Sequence, residues 1–267
     1  MELLYHKVYI NQNKDAAWVT FIHGAGGSST IWYRQLRDFK KTFHVLLVDL
    51  RGHGNSRNLF QDWISCKEHQ FEDICDDVIK VLDHLQIGKT HFIGVSLGTI
   101  IIREISERYP QRVLRMVMGG AVIRFNLRSR ILVRLAHMLK KILPFIWIYK
   151  MYAYILMPKK RHKKSRSLFI REARKIYQKE FLKWIKITSQ LKPLMKLFRE
   201  KAPKHPTLYL MGDEDYMFLP SVQLVATQHE NSFLLIVPDS GHVCNVDQPE
   251  FFNSKAIGFL SADTHLN

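Results

Sequence analysis

Ser96 stands in Gly94-Val95-Ser96-Leu97-Gly98, between the apolar run His91-Phe92-Ile93 and the helix-forming stretch Thr99-Ile100-Ile101-Ile102. A strand turning sharply into a helix at that point would push the hydroxyl outward, as a nucleophile requires. Gly94 and Gly98 remove the side chains that would otherwise make strand and helix collide. The same turn aims backbone N–H groups and a helix N-terminus at the place where negative charge develops. Alone, the pentapeptide arises by chance in roughly one chain in ten of this length. The rest of the chain must therefore supply a base, a carboxylate and oxyanion donors.

Three segments offer them. The buried-strand pattern Ala17 to Ile22 ends in His23-Gly24-Ala25-Gly26-Gly27-Ser28, a loop pliable enough to bring a backbone N–H near a reacting carbonyl. Ala25 and Leu97 are the candidate oxyanion donors. This loop carries neither the G-x-G-x-x-G fingerprint nor the lysine of a phosphate-binding loop. The apolar run Thr207 to Met211 is followed by Gly212-Asp213-Glu214-Asp215. A carboxylate at such a strand end can fix the tautomer of a histidine and stabilise its cation. Asp215 is the choice and Asp213 the competitor, since short acids at such turns also serve as caps. Finally Ser232 to Val237 runs into Pro238-Asp239-Ser240-Gly241-His242. Of 13 histidines, His242 is singled out because it follows a strand, follows a glycine and completes the order Ser, Asp, His.

With these residues in place the chain resembles the α/β-hydrolase superfamily, in its serine-nucleophile, esterase- and lipase-like members. The shared motifs are His23-Gly24, Asp49-Leu50-Arg51-Gly52-His53-Gly54-Asn55-Ser56, Gly94 to Gly98, Gly212 to Asp215 and Gly241-His242. The resemblance implies Ser96 as nucleophile, Asp215 as orienting acid, His242 as base, and the N–H groups of Ala25 and Leu97 as the oxyanion hole. Val95 departs from the polar residue that often precedes the nucleophile in this family. Serine at position 96 argues against the aspartate-nucleophile epoxide and haloalkane hydrolases. The fold also hosts lyases and non-catalytic receptors, so the site must decide the function.

The elements that position these residues follow from apolar periodicity. Short apolar runs at 8–10, 18–22, 45–48, 91–95, 113–118, 207–211 and 233–237 read as strands, with helical patterns between them. Phe71, Ile74, Val78, Leu82 and Leu85 form one helical stripe backed by acids. The expected fold is α/β, a mostly parallel central sheet flanked by helices, with catalytic residues at the carboxyl ends of strands. At 267 residues the chain accommodates one large core with a modest insertion. Residues 1–120 and 207–267 are assigned to the core, and 121–206 to a helical cap or lid.

The insertion holds 24 Lys and Arg against Glu172, Glu180 and Glu200, a net +21, so the remainder carries −5 of the overall +16. Its residues 142–157 are apolar and aromatic, and Lys159-Lys160-Arg161-His162-Lys163-Lys164-Ser165-Arg166 follows at once. That apolar stretch is short of the about 20 residues a spanning helix needs. Two arrangements remain open. The apolar residues roof the site under a solvated basic face, or they rest with the basic run on an anionic membrane surface. Either way the substrate expected is a small-molecule ester with an apolar acyl group. No nucleic-acid motif accompanies the basic residues, so no nucleic-acid partner is expected.

The N-terminal residues lack the apolar core of a signal peptide. The expected location is the cytoplasm, with peripheral contact at the inner membrane surface under the second arrangement. Cys66, Cys75 and Cys244 are too few and too scattered for a disulfide framework or zinc site and read as free thiols. The expected chemistry is ester hydrolysis through an acyl-enzyme, with no metal and no cofactor. The alternatives are a carbon–carbon hydrolase or lyase using the same triad, with a carboxylate held by Arg124 or Arg128, and a non-catalytic ligand-binding regulator.

Overall fold

A computed structural model of the chain describes residues 3–58, 70–139, 142–176, 178–187 and 190–262. Seven strands form one sheet: β1 (His6–Tyr9), β2 (Trp18–Ile22), β3 (His44–Val48), β4 (Thr90–Val95), β5 (Val113–Gly119), β6 (Thr207–Gly212) and β7 (Ser232–Val237). Their spatial order is β1-β3-β2-β4-β5-β6-β7; β1 pairs antiparallel with β3, and every other pair is parallel. Parallel strands need crossovers, and helices supply them: α1 (Tyr33–Phe39), α2 (Phe71–His84) and α3 (Leu97–Arg108) in the first half.

Helices cover both faces of the inner strands, which is why these read as continuous apolar runs rather than alternating ones. The edge strand β7, by contrast, leaves Phe233, Leu235 and Ile236 exposed. Successive side chains divide between two cores. Ile22, Leu46, Val48, Phe92 and Met118 face α2 and α3 with Ile74, Val78, Ile101 and Ile105. Val19, Phe21, Val45, Leu47, Ile93 and Val95 face the other way, against Trp32, Phe39 and Phe252. All seven strands expected from sequence are present within a residue or two, the clearest shift being that Ile10 lies beyond β1 and is exposed.

Between β5 and β6 the described residues include the helices α4 (Leu127–Leu139), α5 (Phe145–Leu156), α6 (Lys163–Ala173), α7 (Gln178–Ile187) and α8 (Leu191–Glu200). Helix α8 turns Leu191, Met195 and Phe198 inward, one stripe at spacings of four and three. A small cluster of their own, Ile148, Tyr149, Ala173 and Ile185, joins α5, α6 and α7. After β6 come α9 (Leu219–Gln228), and after β7 the short α10 (Cys244–Asp247) and α11 (Pro249–Ser261). No described helix is long and apolar enough to cross a membrane.

Candidate active site

Because β2, β3, β4, β6 and β7 run parallel, the loops after their last residues gather at one edge of the sheet. Ser96 follows β4 directly and caps α3 with φ 54° and ψ −120°. This is a backbone conformation that non-glycine residues rarely adopt, costing of order 1–3 kcal/mol. The glycines around it are explained by contact. A Cβ on Gly94 would lie 2.7 Å from the Gly98 carbonyl carbon, and one on Gly98 would overlap the Ile22 carbonyl oxygen of β2. The elbow therefore closes only where both positions lack a side chain.

The structure brings the three expected polar residues into one hydrogen-bonded line. Ser96 Oγ lies 2.9 Å from His242 Nε2, and His242 Nδ1 lies 2.8 Å from Asp215 Oδ2. A carboxylate can only accept, so Nδ1 carries the proton and Nε2 is left to accept from the serine hydroxyl. His242 and Asp215 are both buried. The other oxygen of Asp215 receives the amide of Phe218, and the Phe218 ring lies 5.1 Å from that of His242. Asp213 and Glu214 are occupied elsewhere. Asp213 accepts the amides of Asp239 and Ser240, while Glu214 meets Lys159 at 2.5 Å and His162 at 2.8 Å.

The loop after β2 lies against the elbow: a Cβ on Gly24 would sit 3.0 Å from Ser96 Cβ. Among the described residues, neither the Ala25 nor the Leu97 amide donates to another protein group, and Leu97 opens α3. Two histidines hold this loop in shape. His23 Nε2 accepts the Leu50 amide at 3.0 Å while its Nδ1 donates to the Gly24 carbonyl. His53 does the same with the Gly26 amide and the Arg51 carbonyl. Each must be neutral to accept on one nitrogen and donate from the other. Burial accordingly pushes His23 below the usual imidazole value and His53 down to about 3. Asp49 completes the brace, its two oxygens accepting the amides of Ser29 and Asn55. The motif spanning Asp49 to Ser56 marks this brace in the sequence; its physical role appears only once His53 and Asp49 are seen joining two loops.

The inserted helices press on the same loops. The ring of Tyr149 in α5 lies so close to Gly26 that a Cβ there would come within 2.5 Å, and Gly26 has φ 74°. Trp184 of α7 stands edge-on to His53 at 4.9 Å. Ser28 donates to Glu172 of α6 at 2.7 Å. Although burial raises the Glu172 carboxyl, its hydrogen bonds to Lys175 and Ser28 bring it below the usual carboxylate value. Ala25, Leu97, Val122, Trp184 and Phe218 belong to one apolar cluster, and of these the Phe218 ring lies against His242. Of these contacts Tyr149, Trp184 and Glu172 were not singled out by sequence, since nothing local to them signals partners more than a hundred residues away.

Cys75 and Cys244 are free and buried, and Cys66 lies outside the described residues. Cys244 packs beside Gly119 in the core, and burial pushes its thiol up to about 12, so it carries no thiolate chemistry. Arg124 is exposed, and the side chain of Arg128 lies outside the described residues. Among the described residues no group of three or more His, Cys, Asp or Glu side chains is arranged to hold a metal ion.

The family model described as alpha/beta hydrolase fold matches residues 17–147. The enol-lactonase of Burkholderia xenovorans superposes over 97% of this chain and 96% of its own with a TM-score of 0.75, at 17% identity. The chain has the α/β-hydrolase fold. Among curated relatives, the (E)-2-((N-methylformamido)methylene)succinate hydrolase of Acinetobacter baylyi is 32% identical over 124 residues, 46% of this chain and 45% of that protein. The match thus spans less than half the length of that relative. An uncharacterized carboxylesterase of Bacillus subtilis is 23% identical over 272 positions, covering 95% of this chain and 82% of that one.

Proposed function

We propose that this α/β-hydrolase is a serine hydrolase of carboxylic esters with an apolar acyl group. The observation that carries the reading is the line Ser96–His242–Asp215 beneath two uncommitted amides. His242 Nε2 takes the hydroxyl proton as Ser96 Oγ attacks the acyl carbon, and the developing oxyanion accepts from the N–H groups of Ala25 and Leu97. Asp215 holds the imidazole in the required tautomer and stabilises its cation. His242 then returns the proton to the leaving alcohol, and a water activated the same way releases the acid from the acyl-enzyme.

Apolar Leu97 and Phe218 beside the polar line favour an acyl chain over a charged group, since an unpaired charge there would lose its water without gaining a partner. The carboxylesterase relative supports the ester as the bond broken. Initial rates on a p-nitrophenyl ester series from two to sixteen carbons, for the protein and for Ser96→Ala, test the reading. Turnover that the variant loses is expected. Equal rates in both proteins, or failure on every ester alongside turnover of a vinylogous dicarbonyl acid, would move the assignment to other chemistry.

A further inference from the structure

The apolar stretch from 142 to 157 divides in the structure. Helix α5 buries Ile148, Tyr149 and Ala153, and Met157 just beyond it is also buried. Its opposite face shows Trp147, Lys150 and Tyr154, three and four residues apart and therefore in one row. Trp147 is 61% and Tyr154 59% exposed. Helix α4 carries a matching row, Ile131, Arg134 and Met138, with Met138 71% exposed. The link between the helices ends in Ile142, 76% exposed, and Leu143. Single exposed apolar side chains are ordinary, but their grouping on two consecutive helices and the link before α5 is the composition of a contact surface.

Cations accompany the aromatic rings. Lys150 Nζ lies 5.3 Å from the Trp147 ring, and the guanidinium of Arg166, which closes the basic run and donates to the Met157 and Lys159 carbonyls, lies 4.7 Å from that of Tyr154. Tryptophan and tyrosine flanked by lysine and arginine suit the boundary between headgroups and acyl chains, where the ring sits at the surface and the long cationic stem reaches back to phosphate. The basic run after α5 takes a different part. Lys159 and Arg161 are engaged by Glu214, Arg161 also meets Asp239, and His162 is buried, so this run ties the insertion to the loops after β6 and β7.

We infer that the α4–α5 hairpin, through Ile131, Met138, Ile142, Leu143, Trp147 and Tyr154, docks on an anionic lipid surface. Charge chooses the occupant. A second copy would bring one +21 insertion against another, whereas an anionic bilayer neutralises it. A nucleic acid would meet the cations but offers no apolar phase for Met138 and Ile142. The inference is independent of the ester reading, since it concerns binding and not turnover.

Flotation with phosphatidylcholine vesicles and with phosphatidylcholine–phosphatidylglycerol vesicles, across a salt series, tests it. The protein is expected to float with the anionic vesicles only, less as salt rises. The double variant Ile142→Ser, Trp147→Ser should bind at least tenfold more weakly with unchanged circular dichroism. Leu224→Ser, on exposed α9, should bind as the parent does. Equal binding by the double variant, absence of binding to either vesicle, or a dimer in sedimentation that the double variant dissolves would overturn the assignment.

Discussion

A carboxylate beside an imidazole acts by deciding which nitrogen keeps the proton. Asp215 does so for His242 because one of its oxygens is fixed by the Phe218 amide while the other faces Nδ1. Asp215→Asn would keep the shape but can also donate, which favours the tautomer with Nδ1 bare and Nε2 protonated, unable to accept from Ser96. A fall in kcat of about 10⁴-fold with KM and Tm little changed is therefore expected from steady-state kinetics and thermal melts. Asp213→Asn should leave kcat within a fewfold, because Asp213 serves only the amides of Asp239 and Ser240. The choice between these two acids was open to sequence only through motif spacing. What separates them physically is the loop after β7, which turns two backbone N–H groups toward Asp213 and a ring toward Asp215.

At the scale of elements, the elbow depends on two backbones meeting where β2 and α3 cross. Gly98→Ala places a methyl on the Ile22 carbonyl, which belongs to the centre of the sheet and cannot yield. A loss of about 1–3 kcal/mol in urea unfolding, with loss of activity, is expected. Gly258→Ala in α11 meets nothing within 4 Å and should instead add about 0.5–1 kcal/mol by restricting the unfolded chain. The strands were legible because a sheet covered on both faces needs uninterrupted apolar runs, and glycine, proline or aspartate ends most of them. The inserted helices were legible as helices but not in their orientation. Residues 145–157 are apolar nearly all round, so periodicity does not say which face is buried; Gly26 and Val243, far away in sequence, decide it. The braces made by His23 and His53 were hidden for a related reason, since a neutral buried histidine is defined by backbone partners 27 residues distant.

Across the whole molecule those two histidines set a pH limit on stability. Both are depressed in the folded state, His53 from 6.5 to about 3, so the unfolded chain binds more protons in that interval. Their contribution is complete above about 6.5 and is lost as pH falls toward the folded values, at up to about 1.4 kcal/mol per pH unit for each histidine. Urea unfolding between about pH 6.5 and 4 should show stability falling with acid, and His53→Gln should flatten that slope. Around this braced core the acids and bases divide unevenly, with residues 121–206 at +21 and the remainder at −5, the asymmetry on which the proposed docking to an anionic surface rests. On the proposed reading this arrangement serves one atom, Ser96 Oγ. Its nucleophilicity is tested most directly by incubating the protein with a fluorophosphonate and reading the intact mass and the peptide map. A single adduct on Ser96, formed at least a hundredfold more slowly in His242→Ala, is the expected result. No adduct, or one on another residue, would contradict the assignment of Ser96 as the nucleophile.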